Sequence, residues 1–116
     1  MATGDAPVLE ALTDINAVSV ARTDLDAPTL LLVRLAALAA VDAPRASYLM
    51  HIGPALESGV TIDQVRDVLV AVAPITGTPR VLSASVKITE ALGIAVAITE
   101  AAISEDAAAA SAGRGA

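Results

Sequence analysis

The stretch Ala27-Pro28-Thr29-Leu30-Leu31-Leu32-Val33-Arg34-Leu35-Ala36-Ala37-Leu38-Ala39-Ala40-Val41 decides the fold class. Alanine and leucine are strong helix formers. The alternation of apolar and polar positions that marks a half-buried strand is missing. Asp26 precedes the stretch and can accept from the free amides of a first helical turn, and Pro28 stands where a missing N–H costs nothing. The pattern predicts a helix over residues 27–41, apolar nearly all round and therefore the central, most buried one.

Outward from it, the same Asp-Ala-Pro tripeptide recurs at Asp5-Ala6-Pro7 and Asp42-Ala43-Pro44, and each copy predicts a helix start. The flanking residues differ, so this is shared punctuation and not a sequence repeat. A first helix is predicted from about Ala6 to Arg22, with Val8, Leu9, Leu12, Ile15 and Val18 as its apolar stripe. A third runs from Ala43 to Ser58, closed by Gly59. A fourth starts after Thr61, whose partner Gln64 completes a capping box, and ends near Ala73 because Pro74 disfavours helix before it. Residues 75–78 form a turn. A fifth helix runs from Pro79 to Leu92 with Gly93 as its stop, and Ile94 to Ile103 forms a sixth segment. The fold class is all-α, a bundle of five to six helices. One domain spans residues 1–103, followed by an Ala/Gly/Ser tail over 104–116 expected to be disordered.

Composition narrows the function classes. The chain has 116 residues, 55% of them hydrophobic and 17% charged, which excludes disorder for most of its length. The net charge of −6 argues against nucleic acid, whose binders need a basic patch. Cysteine is absent, so disulfides, thiolate metal sites and redox dithiols are excluded. One histidine and scattered carboxylates lack metal-ligand spacing, so no metal site is expected. The apolar runs are cut by Arg34, Asp67, Pro74, Gly93 and Glu100, short of the roughly 20 residues a spanning helix needs. Met1 to Pro7 lacks the basic and apolar regions of a signal peptide. The expectation is a soluble, cytoplasmic protein without membrane or nucleic-acid partners. A small domain has little interior for so much apolar surface, so a homo-oligomer is expected to absorb the surplus.

His51 is the sole histidine and the default acid or base near neutral pH. On a helix, Ser47 lies four residues before it, Tyr48 three before, Pro44 two turns back and Ala55 four after. These positions make a small, mostly apolar face with two hydroxyls. Gly53-Pro54 interrupts the helix, either as a kink tolerated by packing or as a bend that opens a cavity beside His51. His51 itself reads either as an acid/base residue or as a packed side chain with one ring nitrogen satisfied. Asp63, Arg66 and Asp67 read as a solvated helix face.

From Leu25 to Leu92 the chain resembles the carboxymuconolactone decarboxylase family, which includes the AhpD-type alkylhydroperoxidases. The matching parts are the helix Leu30–Ala36, His51, the run Ala55-Leu56-Glu57-Ser58-Gly59-Val60-Thr61, the helix Gln64–Leu69, Gly77-Thr78-Pro79, and Ser83-Ala84. The resemblance implies an all-helical fold assembling into trimers or hexamers. The peroxidase branch carries Cys-x-x-Cys ahead of the histidine. Those positions hold Pro44 and Ser47 here, and its upstream glutamate falls near Leu32. A peroxide-reducing cycle needs an oxidisable sulfur nucleophile, and the only sulfurs are those of Met1 and Met50. Thiol peroxidase chemistry is therefore excluded.

The decarboxylase branch implies no cofactor. It needs an anchor for a carboxylate, for which Arg34 is the candidate, and a proton donor, for which His51 is the candidate, with Tyr48 assisting. Ser47, Pro44 and Ala55 would line the pocket. The arginine-rich start of that branch's second helix is replaced here by Pro28-Thr29-Leu30-Leu31. Two functions follow: cofactor-free decarboxylation or isomerisation of a small organic acid or enol, or a catalytically degenerate oligomeric binding module.

Overall fold

A computed structural model describes residues 2–114 as five helices, with no strand among them. They are α1 (Ala2–Arg22), α2 (Ala27–Ala40), α3 (Arg45–Glu57), α4 (Ile62–Thr76) and α5 (Thr78–Arg114). The all-α reading holds. α2 and α5 each pack against one another and against both α3 and α4, so α3 and α4 flank a central pair. The core consists of Leu35 and Ala39 from α2, Tyr48, Ile52 and Ala55 from α3, Val65 and Leu69 from α4, and Ala84, Ile88 and Ala91 from α5, with Ala43 and Val60 from the connections.

Several boundaries follow from local chemistry. Asp26 caps α2, its Oδ1 accepting from the Thr29 amide at 2.8 Å. Thr61 and Gln64 form the reciprocal capping box of α4, at 3.1 and 2.9 Å. Gly59, at φ +98°, closes α3. Its amide donates to Leu56 O while the Val60 amide donates to Ala55 O, the paired bonds of a Schellman ending.

Five expectations are corrected. The third Asp-Ala-Pro is a helix end and not a start. Asp42 sits at φ +51°, where its amide bonds Ala39 O and the next amide bonds Leu38 O, so it closes α2 in the role Gly59 plays for α3. α3 then begins at Arg45 behind Pro44, which supplies no side-chain cap. α1 begins at Ala2, with Pro7 inside it. α4 passes through Pro74 to Thr76 and ends at Gly77, φ +90°. α5 does not stop at Gly93; it joins the expected fifth and sixth segments and runs through most of the expected disordered tail, of which Gly115 and Ala116 lie outside the described residues.

α2 is central but not buried all round. Only Leu35 and Ala39 are fully enclosed, and Val33 is 52% exposed. Joining its two halves makes Thr78–Glu105 of α5 long and apolar enough, by length and composition alone, to cross a membrane. Its first half contributes Ala84, Ile88 and Ala91 to the core, while most of the span stays exposed. α1 has no backbone packing against any other helix among the described residues. The radius of gyration is accordingly 17.5 Å, against about 13 Å for a compact chain of roughly this size.

Candidate functional site

α3 presents two faces. Tyr48, Ile52 and Ala55, spaced i, i+4, i+7, are buried in the core. Ser47, His51 and Pro54 follow the same spacing one position earlier, and His51 and Pro54 turn toward the junction with α1 and α2. There a cavity of about 310 Å³ is lined by His51, Met50 and Pro54 from α3, by Ala27, Leu30, Leu31 and Arg34 from α2, and by Asn16 and Val20 from α1. The volume suits a compact organic molecule.

His51 is half-buried, and its Nδ1 lies 2.7 Å from the carbonyl oxygen of Ser47. A carbonyl only accepts, so Nδ1 carries a proton. In the neutral ring Nε2 is then the free lone pair, the tautomer a general base requires. Nε2 has no partner among the described residues.

Arg34 donates to Asn16 Oδ1 and to Ser19 Oγ, the latter at 3.1 Å. These bonds tie α1 to α2. Both acceptors are neutral, and Arg34 makes no ion pair with a carboxylate among the described residues. Its charge is therefore uncompensated on the cavity wall, where it favours an anion. Pro54 brings no amide, so the Met50 carbonyl beside the cavity lacks its helical donor. Pro54 thus lies on the cavity wall, with the helix continuous through Gly53-Pro54 to Glu57.

Two of the candidates, His51 and Arg34, meet in one cavity. The others are placed elsewhere. Tyr48 is fully buried on the core face, and its hydroxyl is enclosed without a hydrogen-bond partner. Burial first, and the charge of Asp42 second, push that phenol above its ordinary pKa. Ala55 belongs to the core, and Pro44 marks the α3 start away from the lining. Ser47 contributes its carbonyl, not its hydroxyl. Among the lining residues, Asn16 was not anticipated. Its signal was a lone amide side chain on the otherwise apolar side of α1.

A second polar cluster joins the α2–α3 corner to α5. Asp42 Oδ1 accepts from Ser83 Oγ at 2.7 Å and from Lys87 Nζ at 3.1 Å, and Lys87 also donates to Ala43 O at 2.8 Å. Ser83 first, then Lys87, hold the Asp42 carboxyl below the ordinary carboxylate pKa. Neither the His51 cavity nor the cavity between α3 and α5 is lined by this cluster, and its part is to fix the corner. No group of ligating side chains able to hold a metal ion occurs among the described residues.

The sequence pattern of the carboxymuconolactone decarboxylase family matches residues 6–91, from α1 to the middle of α5. The chain belongs to the carboxymuconolactone decarboxylase family. Comparison with curated proteins and with solved structures finds no match. The family span holds every residue that lines the His51 cavity and ends where α5 leaves the core. As a cysteine-free member, the chain has no thiol for the redox cycle of the peroxidase branch.

Proposed function

We propose that this cysteine-free family member carries out cofactor-independent acid/base chemistry, a decarboxylation or isomerisation, on a small organic acid or enol bound beneath α1. His51 is the acid/base residue and Arg34 the carboxylate anchor. One observation carries the reading: the Ser47 carbonyl fixes the proton on Nδ1 and leaves Nε2 available in a cavity that also holds an uncompensated guanidinium. In a decarboxylation, the carbon–carboxylate bond breaks, carbon dioxide leaves, and the electron pair enters the conjugated enolate. His51 in its charged form then supplies the proton, with the Ser47 carbonyl supporting the imidazolium. In an isomerisation, neutral Nε2 removes a proton beside the carbonyl and returns it elsewhere. The protein acts in the cytoplasm as a homo-oligomer, a trimer or hexamer.

The test uses carboxymuconolactone, with carbon dioxide release and deuterium uptake from solvent as readouts. Turnover is expected, with a loss of about 100-fold or more in His51→Ala at unchanged helix content. Equal turnover in wild type and His51→Ala refutes the assignment. A second reading, an oligomeric binding module without chemistry, draws on the uncovered apolar side of α1. Binding of small carboxylates that shifts the single histidine NMR signal without any turnover would favour it.

A further inference from the structure

α1 is a helix of 21 residues that contributes nothing to the core. Val8, Leu12 and Ile15 recur along one stripe, each 58–65% exposed. The stripe continues through Val18 to Arg22, the only cation between residues 2 and 22. Glu10 and Asp14 fall on the opposite side of the helix. Together with Leu9, the stripe leaves apolar surface on the order of 400 Å² in water, the size of a large functional patch on a monomer.

On another side of the molecule, between α3 and α5, lies a cavity of about 450 Å³. Its walls are Leu49, Leu56, Val96 and Ile98. Gly53 is part of its lining, and a Cβ built there would meet no atom within 4 Å. Glu57 and Glu100 also line it, and neither has a cation partner among the described residues. The chain's own α1 is held by Arg34 over a different cavity, and its backbone does not pack on α3 or α5.

We propose that the Val8–Leu12–Ile15 stripe of α1 seats in the α3/α5 groove of a second copy of this chain, with Arg22 against Glu57 and Glu100. An apolar stripe ending in a cation matches an apolar groove lined by two carboxylates. Both surfaces lie on every copy, so two copies can use them reciprocally. A stable interface needs about 800 Å² from each partner, of which the α1 stripe is a large part. This interface is independent of the chemistry at His51.

The experiment mixes two full-length variants, one carrying Leu12→Cys and the other Val96→Cys. The chain has no cysteine of its own, so a disulfide between the two reports only this contact. Light scattering gives the assembly size in parallel. The wild type is expected to be oligomeric at micromolar concentration, and the mixed variants to cross-link to each other in preference to their own kind. Leu12→Asp with Ile15→Asp is expected to weaken assembly by roughly 100-fold, at unchanged core packing because neither residue enters the core. Arg22→Glu should weaken it as well, and Glu57→Arg with Glu100→Arg in the partner should restore it. A monomeric wild type, an assembly unaffected by the aspartates, or cross-linking of Leu12→Cys mainly to itself would each overturn the proposal.

Discussion

The His51 ring nitrogen Nδ1 sits 2.7 Å from the carbonyl oxygen of Ser47, one helical turn back along α3. That carbonyl serves as the orienting acceptor that other acid/base sites take from a carboxylate. Nitrogen-15 NMR of the single imidazole should therefore show the Nδ1–H tautomer as the dominant neutral form. An Nε2–H majority would remove the free base from the cavity.

Arg34 is expected to serve two ends. Replacing it with alanine releases α1, because Asn16 and Ser19 lose their donors. The global cost is small, about 1 kcal/mol, since both bonds join exposed groups. Amide exchange in α1 should nonetheless accelerate while exchange in α2–α4 stays put. Affinity for small carboxylates should fall in the same variant, whereas Arg34→Lys should retain part of it. An Arg34→Ala protein whose α1 stays as protected as in wild type would refute the clamp.

Tyr48→Phe is expected to leave stability unchanged or raise it by about 1 kcal/mol, since the buried hydroxyl has no partner to lose. Turnover should not change, because Tyr48 is outside the cavity lining. Chemical denaturation and the carbon dioxide assay check both points. A marked loss of activity would return Tyr48 to the site.

Asp42 makes stability depend on acid pH with a definite sign. Its folded pKa is lowered by Ser83 and Lys87, so its contribution is complete above the ordinary carboxylate value of about 4 and is lost as pH falls through the lowered folded value. Asp42→Asn keeps the left-handed backbone at tolerable cost but loses the charge. Melting curves of the two proteins should differ at neutral pH and converge in acid. A constant gap down to pH about 2 would show that the charge is not the cause.

Much of the fold was legible because short-range chemistry dictated it. Asp26 before Ala-Pro, Thr61 with Gln64, and Gly59 after a helical run each act through neighbours in the chain. The errors arose where distant contacts decided. Asp42 looks like a helix start, but Ser83 and Lys87, some forty residues on, hold its carboxylate while its backbone ends α2. Gly93 has the conformational freedom to stop a helix, yet α5 runs straight through it.

The site was half legible for a similar reason. Spacing placed His51 near Ser47, Tyr48 and Ala55 alike, but only packing distinguishes the cavity face of α3 from the core face. Tyr48 and Ala55 share their face with Ile52, and tertiary burial claimed all three. The meeting of Arg34 with His51 came from the pairing of α2 with α3, which no local spacing encodes.

Because α1 carries Asn16 and Val20 over the His51 cavity yet is tied to the body by the Arg34 side chain, the roof of that cavity is its least supported wall. Thr23 to Asp26 join that roof to α2. A substitution that loosens α1 therefore reaches the cavity while leaving the four packed helices undisturbed.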